Sequence, residues 1–391
     1  MWKQPWGYIE GWIICAGLLI TGMIIQQISG EIDPEAFCFP VNLIFGAMFL
    51  LCLFIFHLCS AKNMFFQWFS GLPAGITSLT SLLFLLMIMG FTNICVSWAF
   101  LLLSFYFLWI LGLVVLRRLS RFQWKDTGFI LNHAGLFIFF FAAILGSSDL
   151  QRLRMTVPLN DPEWRATNGK NEMVELPLAI ELHDFIIDEY PPKLMLLEHS
   201  NDKAPFSKKL ESITVENCPS VAKLSDWTLE IVEYLPSAAA IINKDTVNFV
   251  EYDAEGACSA LYVKVQHLTD NDPKEGWISC GNYLFPQVSL KLTENLSLVM
   301  PDREPKCFTS DVTVYTKDGE MKQALIEVNK PLSVAGWKIY QLNYDTVKGK
   351  WSSYSVFELV KDPWLPVVYL GIVMLLAGSI FLFVSAPKKT D

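Results

Sequence analysis

Apolar residues come in long blocks up to about residue 150, and then give way to short runs in which apolar and polar positions alternate. Blocks at 11–29, 41–60 and 128–146 each approach the ~20 residues a helix needs to cross a hydrocarbon core. The run from 76 to 116 is twice too long for one span, and Gly90, Thr92 and Asn93 in its middle read as a turn between helices at about 76–91 and 95–116. A last block, 364–385, closes the chain. The pattern therefore predicts six transmembrane α-helices: an N-terminal membrane domain of five spans (1–150), a long insert (151–361), and one C-terminal span.

Within the insert the period changes to two. Nine runs read as strands, from MVELPLAIEL at 173 to YSVFELV at 354, with Gly, Pro and Asp clusters between them. Leu229, Ile231 and Val232 against Glu230 and Glu233 show the alternation. Strands with no long helical pattern between them predict a β-rich, antiparallel, sandwich-like or barrel-like domain. In KPLSVAGWKIYQLNYD, Asn329, Pro331 and Gly336 predict a single reversal between a strand at 324–328 and one at 337–344.

Composition supports the membrane reading: 52% of the 391 residues are hydrophobic and the mean hydropathy is +0.36. The insert carries 22 Lys and Arg against 31 Asp and Glu, which argues against nucleic acid as a partner. Charge also orients the spans. Lys3, Lys62, Arg117, Arg118, Arg121, Lys125, Lys388 and Lys389 fall on one side of a six-helix trace, and Glu31, Asp33 and Glu35 on the other. The excess of basic loops marks the cytoplasmic side of a multi-pass inner-membrane protein, so both termini are expected inside and the β-rich domain outside, in the periplasm. Glu10 and the lack of a small-residue cleavage site after Gln27 argue that the first block is retained.

Of the nine cysteines, Cys15, Cys52, Cys59 and Cys95 lie in spans and Cys38 in the first outer loop. Cys218, Cys258, Cys280 and Cys307 are either free thiols or two disulfides in any of three pairings. No CxxC or CxxCH occurs, so the chain is neither thioredoxin-like nor itself a c-type cytochrome. Asp311, Asn329, Gln341 and Asp362 fit no hydrolytic spacing; turn-making and capping account for Asn329 and Asp362.

The run DVTVYTKDGEMKQALIEVNKPLSVAGWKIYQLNYD (311–345), continued by SVFELVKDPWLPVVYLGIVMLLAG from Ser355, resembles the ResB family of cytochrome c biogenesis proteins of System II. An Asn-x-Pro-Leu turn, a strand ending in Tyr-Gln and an Asp-Pro before the last span carry the likeness, and LPLAIELHDFIIDEYP (176–191) adds to it. Such proteins usually have three spans before the domain; the five counted here keep the same parity. The resemblance implies transport of heme b outward and its presentation to an apocytochrome c, together with a CcsA-type membrane partner. The thirteen tryptophans form no WxxWxW, so the heme lyase step, thioether formation, is expected of the partner complex rather than of this chain alone. A membrane-anchored receptor or assembly module, its β domain binding a protein or small ligand, is the alternative; a secondary transporter is disfavoured because no inverted repeat is visible.

Under that resemblance histidines are the expected iron ligands, because a neutral imidazole binds iron and tolerates a low-dielectric site. Five are present. His133 lies about six residues into the fifth span, on a face with Phe137, Phe140 and Ile144, while Asn132, Gly135, Phe139, Ala142 and Gly146 form a small-residue seam. It is read either as a heme-iron ligand or as a histidine bonded to a neighbouring helix. His57, near the inner end of the second span, is the second candidate, at a similar depth. His183 is expected to be either solvated or paired within its strand, and His199 and His267 carry no motif.

Overall fold

A computed structural model describes residues 6–33, 35–60, 67–92, 97–198, 211–243, 246–269 and 272–384. The chain divides into two units, residues 1–151 with 362–391 and residues 152–361.

Among the described residues, the first unit contains six helices long and apolar enough to cross a membrane: α1 (Tyr8–Ser29), α2 (Val41–Ser60), α3 (Leu72–Thr92), α4 (Trp98–Leu119), α5 (Thr127–Gly146) and α6 (Leu365–Val384). Helix starts follow local chemistry. Ser97 accepts the Phe100 N–H at 3.2 Å and starts α4 three residues later than the apolar pattern implies. Asp362 Oδ1 accepts the N–H groups of Trp364 and Leu365 at 3.1 Å, capping α6 as the Asp-Pro pair predicts. Glu10 lies inside the first turn of α1, where its carboxylate accepts the Gly7 N–H at 2.8 Å.

Helix α4 is the centre of the bundle, touching α1, α2, α3 and α5. The small-residue seam of α5 receives α6. A Cβ on Gly371 would lie 2.7 Å from Phe139 N and 2.9 Å from Gly135 O, and one on Gly378 would lie 2.5 Å from Asn132 N. Only glycine admits so close an approach of two backbones, and Asn132 Nδ2 adds a 2.9 Å bond to Ser379 Oγ. Alternate helix ends meet on opposite sides of the bundle. The α3 start and the α4–α5 turn gather at one end, where Arg117 donates to Ser70 at 3.1 Å. At the other, Trp98 N–H donates to Gln26 Oε1 at 3.2 Å, and residues 38–42, 148–149 and 364 form a bonded cluster. Six spans of alternating direction require this parity.

Among the described residues, the second unit has 17 strands in three sheets. Eight strands form one sheet in the order β14 (Met321–Glu327), β13 (Pro305–Thr316), β3 (Met173–Glu189), β2 (Glu163–Thr167), β1 (Gln151–Pro158), β17 (Tyr354–Lys361), β16 (Trp337–Tyr344), β15 (Leu332–Val334). All eight contribute to a single core that includes Met155, Ile180, Val312, Ile326, Val334, Ile339 and Phe357, so the sheet curls on itself. A five-stranded sheet (β6–β10, 220–279) and a four-stranded sheet (β4, β5, β11 and β12, between 193 and 299) share a second core of Leu194, Leu229, Val263 and Leu298 among others.

The reversal at KPLSVAGWKIYQLNYD differs from the single hairpin its sequence predicts. Strand β14 pairs with β13, and β16 pairs with the short β15, which interposes itself between the two expected arms. Two turns result. Asn329, at φ 67°, makes the first; Ala335 and Gly336, at φ 48° and 80°, make the second as a two-residue loop between Val334 and Trp337. Since β14 and β15 end opposite edges of the sheet, the first turn also draws those edges together, and Lys322 Nζ donates to Ser333 O at 3.3 Å across the gap. Gln341 is a buried structural group: its Oε1 accepts from Ser310 Oγ at 2.6 Å and its Nε2 donates to Asn343 O at 2.9 Å.

Candidate functional site

His133 sits one turn into α5 and stacks on Phe129, with ring centroids 3.8 Å apart. Sequence periodicity pairs it with Phe137 and Phe140, but those rings turn into the bundle against Cys15, Leu103 and Phe107. His133 Nδ1 lies 2.9 Å from the carbonyl oxygen of Phe129. A carbonyl oxygen only accepts, so Nδ1 carries a proton and donates, which makes Nε2 the nitrogen with the lone pair in the neutral tautomer. That is the arrangement common to metal-binding histidines, whose second nitrogen is fixed by a carbonyl or carboxylate.

Helix packing sets the level of His57. Gly46 of α2 lies against Phe141 and Leu145 of α5, whereas Leu53, seven residues on, meets Phe137 over Gly112. The two helices are therefore antiparallel, and four residues more brings α2 to His57 as α5 reaches His133. Both imidazoles are half-buried. The ring stacked on His133 is that of Phe129.

Beyond Phe129 the polar end of the bundle opens into a cavity of about 430 Å³. Arg117, Arg118, Arg121 and Lys125 line it together with a single carboxylate, Asp126. Asp126 is 5% exposed and ion-paired to Arg118 at 2.8 Å. The Arg118 guanidinium also lies 5.2 Å from the centre of the Phe129 ring, so one phenyl group touches both the cationic cavity and the imidazole.

At the opposite end of the bundle, Asp149 gathers three donors: Phe39 N–H at 2.7 Å, Asn42 Nδ2 at 2.7 Å and Trp364 Nε1 at 2.7 Å. Burial alone would raise its pKa, but the bonds from Asn42, Phe39 and Trp364 outweigh it and hold the carboxyl below the usual range. The node ties α2, α5 and α6 together. Sequence reading overlooked Asp149 and Asn42; the available signal was a lone acid just past one span and a lone amide at the start of another. Because the folded pKa is depressed, the ionised form stabilises the fold above the ordinary carboxylate range, and that contribution is lost as pH falls through the lowered value. Asp149→Asn is expected to cost about 2 kcal/mol at pH 7, because its amide opposes Asn42 and Trp364. Thermal melts in detergent should show the gap to wild type narrowing as pH falls below the ordinary carboxylate range.

Of the other described histidines, His183 and His267 are bonded to threonines. His183 Nε2 bonds Thr313 Oγ1 at 2.7 Å across β3 and β13, and His267 Nδ1 bonds Thr269 Oγ1 at 2.8 Å. His199 and Cys95 lie outside the described residues. No disulfide forms among the eight described cysteines. Cys258 and Cys280 line a second cavity, of about 370 Å³, with Arg303 and Trp351. Burial pushes the Cys280 thiol up to about 11, so it is protonated at neutral pH and a poor nucleophile.

The comparison with protein families falls on this part of the chain, from the end of the second cavity's Pro286–Gln287 rim to the first residue of β17. Residues 286–354 match the ResB-like family. The ResB-like segment holds Arg303, the two turns at Asn329 and Gly336, and the whole of β16. The resemblance read from the sequence is thereby supported by an independent comparison, and it points to involvement in cytochrome c biogenesis. No curated protein matches the chain.

Proposed function

We propose that this ResB-like chain is a subunit of a System II cytochrome c maturation complex that carries heme across the inner membrane and helps present it to apocytochrome c with a CcsA-type partner. The observation that carries the proposal is the protonated Nδ1 of His133, held by Phe129 O at 2.9 Å, which leaves Nε2 as an iron ligand within a membrane span. A histidine of the partner supplies the other axial position, and His57, at the same level, is the second candidate in this chain. Heme is cargo here. Both termini and the basic end of the bundle face the cytoplasm, where heme enters, and the β-rich domain faces the periplasm, where it braces the partner and the apocytochrome. Thioether formation belongs to the complex, to which this chain contributes binding and orientation.

The test is the absorption spectrum of the full chain purified with its CcsA-type partner. A stoichiometric, histidine-ligated heme Soret band is the expected result. A colourless preparation that still binds a protein ligand through its β domain would instead make the chain a receptor or assembly module.

A further inference from the structure

The geometry points to the cationic cavity beside Phe129 as a receptor for paired carboxylates, the propionates of the porphyrin whose iron His133 holds; this rests on the heme reading above. Three observations converge on it. Arg117, Arg118, Arg121 and Lys125 face one cavity of about 430 Å³ against a single carboxylate, Asp126, which Arg118 already neutralises. Three positive charges are thus left for a ligand to meet, and a guanidinium meets a carboxylate in a two-pronged, charge-assisted fashion. Next, Phe129 is shared: its ring lines the cavity, carries Arg118 at 5.2 Å and stacks on the imidazole at 3.8 Å. The cations and the iron ligand are therefore separated by one aromatic ring, which is itself a face for a flat macrocycle to slide against. Finally, the cavity belongs to the polar end of the bundle and His133 to the apolar span, so the site has the same polarity as heme, a hydrophobic disc with both carboxylates on one edge. Arg117 is positioned by Ser70 at 3.1 Å and Arg118 by Asp126 at 2.8 Å, so half the cationic set is held in place before any ligand arrives.

The ligand chemistry commits the site to carboxylates on an edge rather than to iron alone. Arg121 and Lys125 are exposed residues of the α4–α5 turn and lie outside the helix that carries His133 and the seam, so their replacement is expected to leave the fold and the iron ligand intact. The experiment uses the full chain in nanodiscs of zwitterionic lipid, titrated with hemin and with hemin dimethyl ester, in which both propionates are masked. Wild type is expected to bind hemin about tenfold more tightly than the ester, and Arg121→Gln/Lys125→Gln to lose that preference while keeping the His133-dependent Soret band. Equal binding of acid and ester by wild type, with the Soret band still dependent on His133, would overturn this proposal and leave the heme reading standing. Binding of neither form would overturn both. A third arm repeats the titration in nanodiscs of anionic lipid: preservation of the acid preference supports the proposal, and its disappearance would assign the cavity to a phosphate headgroup instead.

Discussion

Replacing His133 by alanine is expected to lower the heme content of the purified complex by about tenfold or more, while leaving its melting temperature nearly unchanged. The side chain makes one ring stack and one bond to a carbonyl of its own helix, so its loss costs the fold little. On the heme reading its loss to iron is larger, because the residues one turn away on α5, Phe129, Ile130, Leu136 and Phe137, are not ligands. The variant should show a depleted Soret band and a matching fall in cytochrome c maturation when it is the only copy present. His57→Ala should give a smaller loss, since His57 shares the level of His133 but lies on α2. Wild-type heme content in both single variants and in the double variant would remove iron ligation from this chain.

Gly371→Leu is expected to destabilise the helical unit by about 3 kcal/mol, a large share of what a fold of this kind can lose. Its first side-chain carbon would meet Phe139 N at 2.7 Å and Gly135 O at 2.9 Å, and both are backbone atoms that cannot rotate away. Helices α5 and α6 must then separate, opening the Asn132–Ser379 bond and pulling Trp364 from Asp149. Gly17→Leu is the matched control, because nothing lies within 4 Å of a Cβ there and the new side chain enters the apolar surroundings of α1. Thermal unfolding in detergent should place Gly17→Leu within about 0.5 kcal/mol of wild type and Gly371→Leu far below it.

These two predictions also mark where sequence reading was strong. The seam Asn132, Gly135, Phe139, Gly146 was legible because close helix approach needs small residues at helical spacing, and only its partner helix had to come from the structure. The six long apolar helices were legible because length and polarity alone mark a segment able to cross a bilayer. Register in sheets was not. The run QRLRMTVP alternates cleanly, with Leu153, Met155 and Val157 inside, yet it directly follows a long apolar block, and the strand reading of the insert begins only at Met173. Short strands such as β15, three residues long, carry too few positions to show a period, so the reversal around Asn329 was read as one turn rather than two. The same limit applies to the site. His133 was identifiable as an ionisable group in an apolar helix, but its contact with Phe129 is a rotamer choice that spacing does not encode. Asp149 and Asn42 meet across 107 positions of sequence, and no local pattern announces such a pair.

The most direct test of the account replaces His133 by glycine in the full chain purified with its CcsA-type partner, and then adds imidazole to the buffer. A glycine variant leaves room where the side chain stood, and free imidazole can supply the missing nitrogen to iron. The account predicts a depleted Soret band in His133→Gly that returns with imidazole in a saturable way, and no response to imidazole in wild type. A His133→Gly complex that keeps its full Soret band, or one whose band is lost and indifferent to imidazole, would contradict it.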